Sequence, residues 1–278
     1  MPTDKFHDLA EMTGVSLPPT LAQWLDSGLT RYENWKETWR ERMLSSPPAL
    51  ISVYDFEWID ADQSQEVITE WLNPDWQNGM RFLPFAETGG GDYYNLIPVS
   101  GDTLAVARIW HDSDAHDWCG RSFDEFVCLK MIETCADFSH MVTDRFSQED
   151  AHRCLLADLA TVAKSLPQRF AERLQPMLSR PMLTRIEHGE EIPSLMSKQE
   201  LEEEKIGISL TGLPLLNISD AFDDHTPTRP APPTWQELAN DPSNKLAAIK
   251  LYQEQHGVGM GTAKKAVDAY IADRAPRS

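Results

Sequence analysis

The chain has 278 residues, 41% of them hydrophobic, and a formal net charge of −19. That is enough apolar material for one large domain, or one domain with an appendage. The acidic balance argues against direct nucleic-acid binding, which needs clustered Lys and Arg, and no apolar run nears the ~20 residues that span a bilayer.

The opening MPTDKFHDLAEMTG is polar and acidic, so no secretory signal is expected. Cys119, Cys128, Cys135 and Cys154 form no C-x-x-C pair and no zinc spacing. They are expected to be reduced, mostly buried thiols of a cytoplasmic protein.

Leu17-Pro18-Pro19-Thr20 opens the first clear helix, with Leu17, Leu21, Trp24 and Leu25 on one face and Gly28 at its end. Tyr32, Trp35, Trp39 and Met43 predict a second helix, stopped by Pro47-Pro48. Leu50–Tyr54 reads as a short strand, and Asp62–Leu72 as a helix carrying Val67, Ile68 and Trp71. Three strands follow, Met80–Ala86, Tyr93–Ile97 and Leu104–Trp110. Their short connections predict antiparallel pairing. Ser122-Phe-Asp-Glu125 is a capping box, and the helix after it carries Phe123, Phe126, Val127 and Met131. Ser147-Gln-Glu-Asp150 caps another, with Ala151, Leu155, Leu159, Val162 and Leu166 on its apolar face and helical pattern to about Met177. Residues 178–205 are mixed, ending in the charged run Lys198–Lys205.

Eight of the nine tryptophans precede Gly120, so the aromatic core and the strands share the first half. The expected class is α+β, a curved, mainly antiparallel sheet packed by helices, then helical segments and a C-terminal helical hairpin. The expected divisions are a domain at 1–205, a Pro/Gly-rich linker at 206–233 and a tail at 234–278.

Gly89-Gly90-Gly91 follows a strand and precedes another. A phosphate loop needs a helix N-terminus after its glycines and usually a lysine. Here a strand-like run follows, and no Lys or Arg lies between Arg81 and Arg108. The glycines are therefore read as a hairpin turn, where they adopt positive φ without a Cβ penalty.

Four segments together carry a family resemblance. They are Phe82-Leu-Pro-Phe-Ala86, Gly89-Gly-Gly-Asp-Tyr-Tyr94, Ala107-Arg-Ile-Trp-His-Asp112 and Ser122-Phe-Asp-Glu-Phe126. In this order they resemble the core of the SUKH superfamily, which includes yeast cell-wall assembly regulators and bacterial immunity proteins. Leu17-Pro18 and the helix after it are similar to the family's first helix. The resemblance covers roughly residues 10–135. Ser27-Gly28-Leu29 stands where members often carry an Asn-Gly-Gly loop. The resemblance implies Gly89, Gly90, Gly91, Trp110, His111, Phe123 and Phe126 as motif residues. It also implies a non-enzymatic protein-binding module, of the kind that neutralises a toxin, often a nuclease, by occluding it. A basic toxin domain is then the expected partner, and a homo-oligomer is left open.

His111-Asp-Ser-Asp-Ala-His-Asp117 is the densest polar cluster. It could hold a divalent cation but is better read as an exposed partner-contact loop, so no metal and no cofactor are assigned. Asp112, Asp114, Asp117, Trp118, Glu87, Asp92 and Tyr93 are the candidate partner-binding residues. Tyr93 and Tyr94 alternate on a strand, so one faces in and the other out. No catalytic motif is present. The alternatives to an immunity protein are a scaffold or regulatory protein of the same fold and a metal-dependent hydrolase using the 111–117 loop.

In the tail, Thr234-Trp-Gln-Glu237 is a capping box, and Leu246 and Ile249 face one way on a helix that Gly257 would end. Ala263, Ala266, Val267, Tyr270 and Ile271 form a stripe on the next. The pair resembles the helical hairpin in the C-terminal domain of the ribosomal large-subunit stalk protein. That family's flanking strands are missing, so the pair is read as an amphipathic hairpin docking on the main domain or on a second subunit.

Overall fold

A computed structural model of the chain describes residues 2–45, 48–101, 103–143, 145–187, 189–206, 208, 210–219, 235–239, 245–256 and 260–274. The chain divides into two compact units, Met1–Phe222 and Asp223–Ser278, and each is described by itself. No helix among the described residues is long and apolar enough to cross a membrane.

The first unit begins with a helix that the polar N-terminal sequence conceals, α1 (Pro2–Thr13), which buries Phe6, Leu9 and Ala10. α2 (Pro19–Ser27) has proline in its first turn and stops at Gly28, whose φ of 75° lets Leu29 donate to the Trp24 carbonyl at 2.9 Å. α3 (Trp35–Ser45) buries no residue fully, although Trp39 and Met43 pack on the core. Tyr32 precedes this helix, and its hydroxyl accepts the Trp58 N–H at 3.1 Å.

Leu50–Tyr54, expected as a strand, is instead a series of turns. Leu50 sits at φ 64°, and the Leu50 and Ser52 N–H groups both donate to the Asp158 carboxylate. A side chain has taken the bonds that a neighbouring strand would need.

The sheet forms from β1 (Glu57–Trp58), β2 (Leu83–Glu87), β3 (Tyr93–Ser100), β4 (Thr103–Ile109) and β5 (His116–Gly120), in chain order with every pair antiparallel. Between β1 and β2 runs α4 (Ala61–Glu70), started by Asp60 and Gln63 in a reciprocal capping box. The fold is α+β, as expected from the sequence. Two of these strands escape sequence reading, β1 because it is two residues long and β5 because its first residues are polar. The loop between the last strands is therefore shorter than expected, since His116, Asp117 and Trp118 pair with β4.

Strand alternation sends Tyr94, Leu96 and Val106 into one core and Tyr93, Ile97, Ala107 and Ile109 towards another. The first core contains an aromatic cluster of Trp24, Phe56, Trp58, Phe85, Phe123 and Phe126. Over it lies α5 (Phe123–Ala136), whose side chains are buried almost all round. Ser122 accepts the Glu125 N–H, but the Glu125 carboxylate bonds the Arg121 N–H, so the expected box is only half formed. α6 (Gln148–Ser165), with a complete Ser147–Asp150 box, and α7 (Gln168–Leu174) pack behind.

The mixed region holds a hairpin, β6 (Leu183–Glu187) and β7 (Glu190–Ser194), and then α8 (Lys198–Ile206). The linker expected from 206 does not begin there. Ile208, Leu216 and Ile218 are buried, the last two with Trp71, Leu72, Phe82 and Ile109 on the second face of the sheet. Residues 210–219 follow β5 without a strand ladder, held by side-chain bonds. Trp118 donates to the Pro214 carbonyl at 2.9 Å, and Gln77 exchanges two 3.0 Å bonds with Ser219. The proline content that predicts a linker also prevents regular pairing, yet the apolar residues between still cover the sheet. The rest of the predicted linker, 220–233, lies outside the described residues.

In the second unit, α9 (Trp235–Ala239), α10 (Lys245–His256) and α11 (Met260–Arg274) enclose a small core of Ala239, Ala248, Ile249, Ala263 and Val267. Trp235 sits edge-on to Tyr252 and Tyr270, at 4.9 and 5.0 Å between ring centroids. The expected pair of helices is thus joined by a third short one. Thr234, Gly257 and the side chain of Leu246 lie outside the described residues.

Candidate functional site

The glycine run forms the end of the β2–β3 hairpin. Thr88 donates to the Asp92 carbonyl at 2.8 Å, Gly91 donates back to Thr88 at 3.0 Å, and Gly91 takes φ 89°. The Gly89 N–H donates to the Asp55 carboxylate at 2.7 Å. A strand follows, not a helix, and the Gly89 and Gly91 donors are already used, so the turn is no phosphate cradle.

The last pair between β3 and β4 joins Tyr93 to Ile109. That register brings Asp92, just before one strand, to His111, just beyond the other. The Asp92 Oδ1 accepts from His111 Nδ1 at 3.0 Å and from the His111 backbone N–H at 3.3 Å. Asp92 is only 9% exposed, while Asp112 beside it is exposed. One donor atom each of Asp92, His111 and Asp112 lies within 4.8 Å of the others.

The remaining loop residues part from this cluster. Asp114 is exposed. Asp117 pairs with Arg108 at 2.6 Å, and that guanidinium lies 4.8 Å above the Trp110 ring. Trp118 is half-buried beneath Pro214, with His116 edge-on at 5.8 Å, so it is not the exposed anchor considered from sequence. Phe123 and Phe126 are wholly in the core.

Of the two tyrosines, Tyr94 faces the main core, and Tyr93 packs 6.3 Å from Trp71 on the other face. Tyr93 lies opposite Glu87, which in turn lies opposite Glu57. Desolvation, then the Glu57 charge, raises the Glu87 carboxyl above its usual range. Desolvation, with Glu87, Glu70 and Glu66 adding to it, raises the Tyr93 phenol. Glu57, Glu66, Glu70 and Glu87 have no ion-pair partner among the described residues.

A second feature beside the turn was not read from the sequence. The loop 49–56 is fixed from below by Asp158, which is 0% exposed and accepts Leu50 N–H, Ser52 N–H and Ser52 O–H at 2.7–2.9 Å. His140 Nε2 meets the Ser52 carbonyl at 3.0 Å. The loop holds up Tyr54, 69% exposed and edge-on to His140 at 5.3 Å. Tyr54 and His140 line a groove of about 430 Å³ with Lys130, Glu133, Thr134 and Asp137. One sequence signal points here: Asp158 falls on the apolar stripe of α6, beside Leu155 and Leu159.

All four cysteines are free and buried. Desolvation is the largest cause raising each thiol, Cys128 to about 11 and Cys135 to about 12, which makes them poor nucleophiles at neutral pH. No protein-family model, curated protein or solved structure matches the chain.

Proposed function

We propose that the chain is a protein-binding module rather than an enzyme, and that it engages a basic partner through the acidic end of its sheet. The carrying observation is the pair Glu57 and Glu87, set directly opposite each other on β1 and β2. Like charges at such a position are unfavourable, and a cationic surface relieves them. Glu66, Glu70, Asp55 and Asp112 extend the acidic surface around the same hairpin end, and Tyr54 offers an aromatic anchor beside it. The resemblance to SUKH immunity proteins supports occlusion of a cytosolic toxin domain, and a nuclease with a basic cleft has the complementary charge.

The test is co-expression and kinetic binding with a toxin domain encoded beside this gene. The double reversal Glu57→Lys/Glu87→Lys should slow association by about tenfold or more at low salt and weaken its salt dependence. Protection and association rate unchanged by that reversal would refute this face.

The division into two units supports a second reading, a scaffold that tethers two partners. Pull-downs with Met1–Phe222 and Asp223–Ser278 used separately, each compared with the full chain, distinguish the two. Different partners on each unit favour the scaffold.

A further inference from the structure

We infer that Asp92, His111 and Asp112 form a binding site for a divalent transition-metal ion, Zn²⁺ foremost. The sequence suggests a cation only within the 111–117 loop, and the fold disperses that set by pairing Asp117 with Arg108 and carrying His116 into β5. In their place it supplies Asp92, 19 residues before His111.

The geometry fits a metal. Two donors about 2.1 Å from one ion stand ~3.0 Å apart at a right angle and ~3.4 Å apart in a tetrahedron. His111 Nδ1 and Asp92 Oδ1 are 3.0 Å apart, and a donor of Asp112 lies within 4.8 Å. Asp92 is held in place, since its own N–H donates to Thr88 Oγ1 at 3.0 Å. Its Oδ2 has no hydrogen-bond partner among the described residues. The His111 ring lies against Gly91, where an added Cβ would come within 3.7 Å of it. Two of the three donors are therefore positioned before any ion arrives, and only the exposed Asp112 has to close.

The donor set selects the ion. An imidazole nitrogen with two carboxylates suits zinc and its neighbours. Calcium needs six to eight oxygens, and magnesium is bound mainly through carboxylates and water. On binding, the ion takes the place of the proton between His111 Nδ1 and Asp92 Oδ1, which is released to water. Three protein donors leave at least one coordination position for water or for a group from a partner. The site shares Asp112 with the proposed acidic partner face, but its test uses the metal alone and needs no partner, so either reading can fail without the other.

The experiment is calorimetric titration of the full chain, freed of metal with chelator, with Zn²⁺, and in parallel with Ca²⁺ and Mg²⁺. One Zn²⁺ should bind per chain, with far weaker binding of the other two. His111→Gln and Asp92→Asn should each lower Zn²⁺ affinity at least about tenfold, since even outer-shell changes cost ~10–100-fold. Asp92 is nearly buried and could unfold the hairpin when changed, so Asp112→Asn is the decisive variant. Asp112 is exposed and makes no hydrogen bond or ion pair among the described residues. Its loss should also lower the affinity, with the circular dichroism spectrum unchanged, while Asp114→Asn leaves both as they are. Absence of Zn²⁺ binding overturns the site. So does Zn²⁺ affinity that is equal in the wild type, Asp112→Asn and His111→Gln, which would place the ion elsewhere.

Discussion

Replacing Asp158 with alanine is expected to destabilise the protein by roughly 3–5 kcal/mol, because three buried donors lose their acceptor together. Those donors are Leu50 N–H, Ser52 N–H and Ser52 O–H. The loss should appear in urea unfolding as a lower midpoint with an unchanged slope. Tyr54 rides on the same loop, so its fluorescence or exchange behaviour should change first. A cost under about 1 kcal/mol would mean that the carboxylate does not hold the loop.

Asp158 also gives the stability a pH signature. Desolvation is the largest influence and raises its pKa from 3.8 to about 6, although three hydrogen bonds to the carboxylate pull the other way. The folded state thus binds a proton that the unfolded state has released between these values. Its stabilising contribution is full below about pH 4 and is lost as the pH rises through about 6. The stability advantage of the wild type over Asp158→Asn should therefore be about 1 kcal/mol greater at pH 5 than at pH 8. A difference that does not fall between pH 5 and pH 8 would show that burial does not raise the Asp158 pKa.

Gly120→Ala should cost about 3 kcal/mol or more. A Cβ at this position would stand 2.6 Å from the Phe126 nitrogen and 2.9 Å from its Cα. These are backbone atoms of α5, so no rotamer change relieves the clash, and β5 and α5 must separate. Gly101→Ala is the control. Gly101 has φ 52° and nothing within 4 Å of an added Cβ, so only backbone strain of ~1–2 kcal/mol is expected. Should the control cost more than Gly120→Ala, the close contact between strand and helix would not be limiting.

Much of the fold is legible in the residues because it is encoded locally. The leucines and Trp24 of α2, the glycine at its end and the Ser147–Asp150 box are statements about a few neighbouring residues, and they hold in the structure. The hairpin at Gly89–Gly91 is legible for the same reason. What fails to read is short, polar or non-local. β1 has two residues, too few for any alternation. β5 begins His-Asp, which looks like loop until β4 is beside it. Leu50–Tyr54 has strand-forming side chains, but Asp158, over a hundred positions away, takes its N–H groups. The site divides in the same way. Glu87, Asp92, Tyr93 and Asp112 come from sequence and lie at one end of the sheet, whereas Trp118 and Asp117 are occupied within the protein. Tyr54, His140 and Asp158 do not read as one feature, since the only local signal is Asp158 on the apolar stripe of α6 and nothing in the chain marks the three as neighbours.

By itself the sequence determined the class of secondary structure, the acidic surface and the glycine corner, because propensity, charge and turn geometry depend on residues close in the chain. Tertiary structure alone decided that 210–219 covers the sheet, that Glu57 faces Glu87 and that Asp92 meets His111. Those juxtapositions are set by strand register and by burial of apolar surface, which act between segments whose distance in sequence carries no information about their distance in space.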